Sequence, residues 1–258
     1  MKTTNHTTVL GNHGFGRIRL PDQLNEGKEI TLEGSPFAAL RAREPRPGEI
    51  MTITDSRGVE FRGRITEVGA DQARCLIFEK LAEPTEPPFD LCLFQALPDK
   101  ERMELIIQKA TELGVAVICP FKSRHSIALE EREAHQPKAH RWQHVALAAS
   151  KQCRRAVVPL VAPYCPFEEA LEQARPLELK IILVEKEQRR LAALIRDMPP
   201  PKGVALMVGP EGGWDAGEVE EAREGGFCPV GLGGRILRTE TAAIAACAIL
   251  QYEWGGSR

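Results

Sequence analysis

The sequence predicts an α/β protein: an open parallel sheet with helices on both faces, preceded by a small β-barrel. Three observations support this fold class. Residues 1–80 contain short strand-like runs separated by turns, residues 81–89 are rich in proline, and residues 90–258 alternate strands with helices. Closely spaced short strands are typical of small barrels, and strand–helix alternation is typical of parallel sheets. We therefore expect two domains joined by a linker.

The N-terminal region carries the composition of a β-domain. Strands are predicted at 16–20, 29–32, 49–54, 59–68 and 73–78. Glycine, proline and aspartate separate them, as turns require. The segment DSRG at 55–58 predicts a hairpin, because Asp and Gly suit turn positions. A helical pattern is present only at 36–43.

The linker LAEPTEPPF at 81–89 contains three prolines and two glutamates. Proline density predicts a stiff, extended connector, so the domain boundary is placed there. Beyond it, strands are predicted at 90–97, 115–121, 179–184, 204–208 and 227–232. Helices are predicted at 99–113, 138–153, 167–174, 189–197, 215–224 and 239–254. Asp215 and Glu218 have the spacing of a capping box at one helix start.

Composition excludes several classes of protein. With 43% hydrophobic and 27% charged residues, the 258-residue chain matches a globular protein. It lacks both an apolar run of ~20 residues and the pattern of a signal peptide, so we expect a cytoplasmic protein without membrane spans. The 7 cysteines form no C-x-x-C pair. This predicts buried, reduced thiols and no metal site.

Charge is distributed unevenly along the chain. Residues 95–155 hold 11 Lys/Arg against 7 Asp/Glu and four of the six histidines, although the whole chain has a net charge of −2. A basic middle segment suggests a polyanionic partner, and the alternative is a solvated helix face. Basic groups cluster after predicted strands and at helix ends, where the helix dipole alone also favours them.

Two glycine-rich loops follow predicted strands: GPEGG at 209–213 and GLGGR at 231–235. Neither fits a Walker A or G-x-G-x-x-G pattern, so a phosphate site is not expected. Ligands bind outside the carboxyl ends of parallel strands, where glycines allow close backbone approach. The alternative is two tight turns without a ligand. The predicted pocket comprises Leu183, Val184, Glu185, Gly209, Pro210, Glu211, Gly212, Gly213, Leu232, Gly233, Ile236 and Leu237.

A family resemblance follows from ordered motifs. GPEGGW at 209–214 and LGGRILRTETA at 232–242 resemble the C-terminal signature of the bacterial 16S ribosomal RNA uridine-N3 methyltransferases, members of the SPOUT superfamily. KATELGV at 109–115, the P-x-x-x-R-x-S pattern at 120–126 and AASKQCRRAVVP at 148–159 are similar to further family blocks, in the same order. The resemblance covers most of 90–258. The stretch FAALRAR at 37–43 lacks the histidine of the corresponding family block.

The resemblance implies a trefoil-knotted SPOUT domain, a PUA-like RNA-binding barrel, S-adenosylmethionine as methyl donor, a homodimer, and 16S rRNA in the 30S subunit as substrate. Glu211 would be the general base or a cofactor contact. Alternatively, it has a purely structural role as a cap near a helix end. Arg124, Arg154 and Arg238 would stabilise the uracil oxygens as N3 loses its proton. The expected RNA contacts are Arg41, Arg43, Lys122, Arg124, Lys151, Arg154 and Arg155.

Two other functions remain open at this stage. One is another SPOUT RNA methyltransferase, such as a transfer RNA ribose 2′-O methyltransferase. The other is a non-catalytic RNA-binding factor of ribosome assembly. The helix predicted at 239–254 is small or apolar around most of its circumference, which predicts burial, partly across a dimer interface.

Overall fold

The computed structural model describes residues 14–126, 141–196 and 198–256. Its N-terminal part is a five-stranded sheet in the order β1-β3-β4-β5-β2. The strands are β1 (Ile18–Arg19), β2 (Glu29–Glu33), β3 (Ile50–Thr54), β4 (Glu60–Val68) and β5 (Gln72–Lys80). Helix α1 (Gly34–Arg41) follows β2. Hydrogen bonds between the described strands run from β1 to β2 without closing a ring.

The hairpin predicted at DSRG is confirmed. Strands β3 and β4 pair antiparallel, with Thr54 opposite Glu60. The Asp55 carboxylate accepts hydrogen bonds from the backbone N–H groups of Arg57 and Val59, and Gly58 has a φ of 80°. Burial would raise the pKa of Asp55, but hydrogen bonds from Arg57 and from the backbone outweigh it and lower the pKa.

Residues 81–89 form neither helix nor strand, and they are fastened to both neighbouring regions. Thr85 donates its N–H and hydroxyl to Glu60 in the N-terminal sheet. Phe89 packs edge-on against Trp254, with ring centroids 5.8 Å apart. The segment predicted as a connector is therefore part of the packed structure.

The second sheet is wholly parallel, as predicted. Its order is β12-β10-β11-β6-β7-β8, with β9 beside β7. The strands are β6 (Asp90–Ala96), β7 (Val117–Lys122), β8 (Leu160–Val161), β9 (Cys165–Pro166), β10 (Leu179–Leu183), β11 (Gly203–Val208) and β12 (Cys228–Val230). The helices are α2 (Lys100–Glu112), α3 (Trp142–Cys153), α4 (Phe167–Ala174), α5 (Leu191–Ile195), α6 (Ala216–Glu224) and α7 (Thr239–Trp254).

Helices cover both faces of this sheet, which confirms the predicted layering. Side chains of α2, α3, α5 and α7 share one apolar core with one sheet face, and those of α4 and α6 share another with the opposite face. The seven cysteines are free, and five are buried. Burial raises the pKa of Cys92 and Cys247 to about 12, so these thiols are unreactive.

Several element boundaries differ from prediction. The first strand and α5 are shorter than expected, and the short strands β8 and β9 were missed because two residues carry no periodic signal. Helix α3 begins at Trp142, while residues 138–140 and 197 lie outside the described part of the chain. Helix α7 buries one face against the sheet, but Tyr252 is 87% exposed. The single chain thus buries one face of this helix, and burial of the outer side across a dimer interface stays a prediction.

Candidate functional site

The carboxyl ends of β10, β11 and β12 open into one cavity of about 240 Å³. Because these strands are adjacent and parallel, their following loops leave the same edge of the sheet. The lining includes every residue of the predicted pocket except Gly212. The lining combines apolar side chains with glycines whose backbone is accessible. Such a combination is typical of sites that bind small molecules.

Gly212 points away from this cavity. A Cβ at Gly212 would lie 2.9 Å from the Cβ of His125, in the loop after β7. The ring of His125 is in turn 3.3 Å from the Gly213 carbonyl, measured from Nδ1. A glycine at 212 therefore allows the loops 209–213 and 123–126 to approach closely. This close approach explains the glycine without any contact to a ligand.

Trp214 and Thr239 line the cavity and were not among the predicted residues. The Trp214 indole donates to the Leu183 carbonyl (2.8 Å) and stacks on Phe121, with centroids 6.1 Å apart. A Cβ at Gly209 would come 3.0 Å from the indole ring. Trp214 thus joins two of the three loops, and its place in GPEGGW was the signal that could have identified it.

Glu211 lies at the cavity rim in a network of charges. Its Oε1 accepts hydrogen bonds from the Asp99 N–H (3.0 Å) and from Arg102 Nη1 (2.9 Å). Arg102 also pairs with the carboxylates of Asp99 (3.0 Å) and Glu240 (3.8 Å). Both of these hydrogen bonds to Glu211 end on one oxygen, so Oε2 has no donor among the described residues.

Arg238 and Arg235 also lie at the rim. Both are exposed, and neither makes an ion pair within the described ranges. Arg238 is the residue before α7, and its side chain does not cap the helix. The cavity rim therefore carries two exposed guanidinium groups as well as the paired carboxylate of Glu211.

Arg124 and Arg154, the two other predicted catalytic arginines, lie outside the cavity lining. Arg124 pairs with Asp215 (2.7 Å) and Glu221 (3.5 Å), and its N–H donates to Glu218. It therefore fastens the loop after β7 to the start of α6, where Asp215 and Glu218 form the predicted capping box. Arg154 ends α3 with a left-handed φ of 57° and an exposed side chain.

Two of the predicted RNA contacts are buried in the protein. Arg43 donates to the carbonyls of Gly16 (3.3 Å), Ala156 (3.0 Å) and Arg155 (2.9 Å). Burial lowers the pKa of Arg43 to about 10, while the nearby Glu86 carboxylate opposes the shift. The prediction is wrong for Arg43 because the residue is 4% exposed and its guanidinium points at backbone carbonyls inside the protein, out of reach of RNA in this conformation.

Arg155 is also buried, and its guanidinium is bound by other groups of the protein. It pairs with Glu86 at 2.6 Å and donates to the carbonyls of Thr111 (2.9 Å) and Val115 (2.8 Å). Its side chain is 5% exposed, which excludes contact with RNA in this conformation. Thr52, in β3, also donates its hydroxyl to the Arg154 carbonyl (2.8 Å). We call the contacts of Arg43, Thr52 and Glu86 with residues 154–157 the seam, since they join the N-terminal part and the 81–89 segment to the second part of the chain.

The remaining predicted RNA contacts differ in whether their side chains already bind other groups of the protein. Lys122 and Arg41 are exposed, and the Arg41 guanidinium lies 6.0 Å from the Phe37 ring centroid. Lys151 donates to the Glu44 carbonyl (2.6 Å) and pairs with Glu49 (3.1 Å). Lys122, Arg41 and the exposed Arg154 make no ion pair among the described residues, so they are free to bind a polyanion.

Across 14–126, 141–196 and 198–256, no three His, Cys, Asp or Glu side chains come together as a set that could hold a metal ion. In the same ranges, no helix combines the length and hydrophobicity needed to cross a bilayer.

Comparison with known proteins gives consistent matches. A family model described as RNA methyltransferase domain matches residues 85–251. The ribosomal RNA small subunit methyltransferase E of Synechocystis is 31% identical, over 88% of this chain and 74% of that protein. The Bacillus subtilis protein of the same name is 29% identical, over 90% and 93%.

Solved structures are similar over nearly the whole chain. The ribosomal RNA small subunit methyltransferase E from Neisseria gonorrhoeae, bound to S-adenosyl methionine, has a TM-score of 0.64 and 34% identity. That match covers 93% of this chain and 98% of the other. A methyltransferase from Legionella pneumophila with bound SAM has a TM-score of 0.63 and 32% identity, over 92% and 97%.

Proposed function

The chain belongs to the RNA methyltransferase family, and from that premise we propose that it methylates N3 of one uridine in 16S rRNA. The methyl donor is S-adenosylmethionine, and the substrate is the small ribosomal subunit. Relatives over 30% identical carry the name of this activity, and two similar structures were solved with the donor bound. The assignment of uridine N3 rests on the ordered motifs in the sequence.

The observation that carries this proposal is the cavity at the ends of β10, β11 and β12. Its chemistry fits S-adenosylmethionine, which has a flat adenine ring with a hydrogen-bonding edge, a cationic sulfonium, and an ammonium and a carboxylate group. Leu183, Leu232 and Leu237 supply apolar surface, and glycine backbone supplies hydrogen-bonding groups close to a ligand. Glu185 supplies negative charge on the same lining. These residues would hold the donor.

S-adenosylmethionine, when bound, supplies an electrophilic methyl group on a sulfonium centre. The protein must position the uridine, accept its N3 proton and stabilise the charge left on the uracil oxygens. We assign the proton to Oε2 of Glu211, the oxygen without a donor among the described residues. Arg102 and the Asp99 N–H would keep this carboxylate in place through Oε1.

Arg238 and Arg235 are the groups available to stabilise uracil. Their exposed guanidinium groups lie at the cavity rim and make no ion pair with a described residue, so they need no rearrangement before binding. Arg124 is occupied by Asp215 and Glu221, so a structural role for it agrees better with its contacts. Arg154 is exposed but separate from the cavity, which favours a contact to RNA outside the reacting base.

The larger architecture is proposed on the same basis. Residues 1–80 would form a PUA-like RNA-binding barrel, 81–89 the linker, and 90–258 a knotted SPOUT domain. The position of β12 beside β10, with α7 packed back on β6 and β11, is compatible with a chain crossing of that kind. Arg41 and Lys122, both exposed, would let both parts contact the small subunit.

A cytoplasmic homodimer completes the proposal. Ile236 is 76% exposed, and Ile249 and Tyr252 present apolar surface on the outer side of α7. Small residues on the same helix, such as Ala248, would allow a second copy to approach closely. Sedimentation velocity at micromolar concentration tests this part. A dimer supports it, and a monomer would overturn it.

The decisive experiment is methylation of purified 30S subunits with labelled S-adenosylmethionine, followed by nucleoside analysis. We expect label in 3-methyluridine of 16S rRNA. Label in a 2′-O-methylated nucleoside, or transfer to tRNA only, would establish another RNA methyltransferase. Binding to 30S subunits without cofactor binding would establish an assembly factor.

The assignment of Glu211 has its own test. Glu211→Gln keeps the hydrogen bonds at one oxygen but cannot take up the proton. We expect kcat to fall by about 100-fold, with cofactor affinity changed less than about threefold. A loss confined to cofactor affinity would make Glu211 a cofactor contact and not the base.

A further inference from the structure

A buried hydrogen-bonded chain joins three segments around the cavity. Gln95, in β6, is fully buried and donates from Nε2 to the Thr239 hydroxyl (3.1 Å) and to the Ala96 carbonyl (2.9 Å). The Thr239 hydroxyl, at the start of α7, donates to the Gly209 carbonyl (2.6 Å). Thr239 and Gly209 line the cavity, whereas Gln95 lies behind them.

The donor and acceptor in each of these hydrogen bonds follow from the chemistry of the groups. The Ala96 carbonyl can only accept, so the nitrogen of the Gln95 amide must face it. The same nitrogen donates to Thr239, and the single hydroxyl proton of Thr239 is then directed at Gly209. A charge-neutral relay of this kind holds each group in one orientation.

Packing alone does not explain Gln95. Its neighbours in β6 between Leu91 and Ala96 are apolar and buried, and a leucine at 95 would avoid burying an amide. The Oε1 atom of Gln95 is also buried, with no hydrogen bond among the described residues. Gln95 therefore costs stability that the relay to Thr239 only partly offsets.

The relay connects the two glycine loops. Gln95 pairs with Val208 in the ladder between β6 and β11, so it lies beside the start of the loop at 209. Thr239 follows the loop after β12, and its hydroxyl donates to the Gly209 carbonyl. The bond from Thr239 to Gly209 therefore ties the loop after β12 to the start of the loop after β11, and both loops line the cavity.

We propose that Thr239 and Gln95 are positioning residues for cofactor binding. Thr239 holds the Gly209 carbonyl and the 231–238 loop in register, and Gln95 orients the Thr239 hydroxyl. This inference rests on the proposed function, because the ligand of the cavity is taken to be S-adenosylmethionine. Its consequence is specific: losing the hydroxyl weakens cofactor binding more than it weakens the fold.

The test compares Thr239→Val, which keeps the shape and removes the hydroxyl, with Thr239→Ser, which keeps the hydroxyl. Calorimetric titration with S-adenosylmethionine should show about tenfold weaker binding for Thr239→Val and affinity within about twofold of wild type for Thr239→Ser. In steady-state methylation, KM for S-adenosylmethionine should rise by the same factor while kcat stays within about twofold.

Thr111 provides a matched control. It is fully buried in α2, and its hydroxyl donates to the Ile107 carbonyl (2.7 Å), within the same helix. Thr111→Val removes a buried hydroxyl of the same kind away from the cavity. It should lower the melting temperature while leaving cofactor affinity unchanged.

A double-mutant cycle tests the part assigned to Gln95. Gln95→Leu alone should weaken cofactor binding by about threefold, and on the Thr239→Val background it should add nothing, because Gln95 acts through the hydroxyl. Additive losses would overturn the relay. Should Gln95→Leu fail to fold, the Thr239 pair still decides the main claim.

The outcomes separate this inference from the proposed function. If wild-type protein fails to bind S-adenosylmethionine, the proposed function is wrong and the relay has no cofactor to position. If wild type binds and folded Thr239→Val binds equally well, the inference alone is wrong. If Thr239→Ser, which keeps the hydroxyl, is as weak as Thr239→Val, the hydroxyl does not account for the loss and the packing of the whole side chain does, which also overturns it.

Discussion

Arg43 and Arg155 lie in the seam, whereas Arg235 and Arg238 lie at the rim of the cavity. The guanidinium groups of the first pair are buried, and they donate hydrogen bonds to backbone carbonyls and to Glu86. The second pair is exposed and makes no ion pair within the described residues. The comparison teaches that one residue type serves two purposes here. Burial with fixed partners indicates a structural arginine, and exposure beside a cavity indicates one available to a ligand.

The largest expected effect comes from breaking the buried pair in the seam. Arg155→Met leaves the Glu86 carboxylate, whose side chain is 11% exposed, with the Val157 N–H as a remaining donor, which should cost about 3 kcal/mol in unfolding free energy. Urea denaturation measures this loss. Adding Glu86→Leu should recover part of it, since no unpaired charge then remains.

The matched control is Arg175→Met, which breaks an exposed pair with Glu172 (2.9 Å). Stability should change by less than about 0.5 kcal/mol, as for most surface substitutions. Equal effects of the two arginine variants would show that burial does not distinguish the seam from the surface.

The next effect is on catalysis. Arg238→Ala removes a cation from the cavity rim, and we expect kcat to fall by about 100-fold, as for loss of one group that stabilises the developing charge. The unfolding free energy should stay within about 0.5 kcal/mol of wild type. A variant that loses stability and keeps its rate would place Arg238 with the seam arginines.

Two neighbouring glycines sharpen the boundary of the cavity. Gly233 lines it and Gly234 does not, yet a Cβ at either position would meet no atom within 4 Å. Gly233→Val should put its side chain in the cavity and weaken S-adenosylmethionine binding by about tenfold. Gly234→Val should have a clearly smaller effect. Calorimetry on both variants checks this, and equal losses would contradict the cavity boundary.

The smallest effect concerns RNA affinity. Lys122 is exposed, whereas Lys151 is held by Glu44 and Glu49. Lys122→Ala should reduce the slope of log affinity against log salt for 30S binding by about 0.7–0.9, the value for one phosphate contact. Lys151→Ala should leave the slope unchanged. The reverse result would show that ion pairing in the free protein does not predict RNA contacts.

Local signals in the sequence predicted much of the fold and most of the cavity lining. The capping box of Asp215 and Glu218 involves neighbours three residues apart, and the glycine loops follow strands whose parallel order brings their ends together. Helices α4 and α7 match prediction at both ends: Pro166 precedes the first, and Gly255 follows the second.

Long-range partners were beyond such signals. Gln95 and Thr239 are 144 residues apart in the chain, and Arg43 and Ala156 are 113 apart. Nothing adjacent to Arg43 or Arg155 distinguishes a buried arginine from an RNA-binding one. Only the folded chain brings Glu86 and the backbone carbonyls to them, so both were assigned to RNA.

The distance between Arg43 and its partners also has a consequence for synthesis. Domains fold as units from the N-terminus while the chain is being made. A chain translated only to residue 150 contains all five strands of the first sheet but lacks the carbonyls at 155 and 156 that Arg43 binds. Docking of the two sheets is therefore a late event in biogenesis, and until then Arg43 stays hydrated.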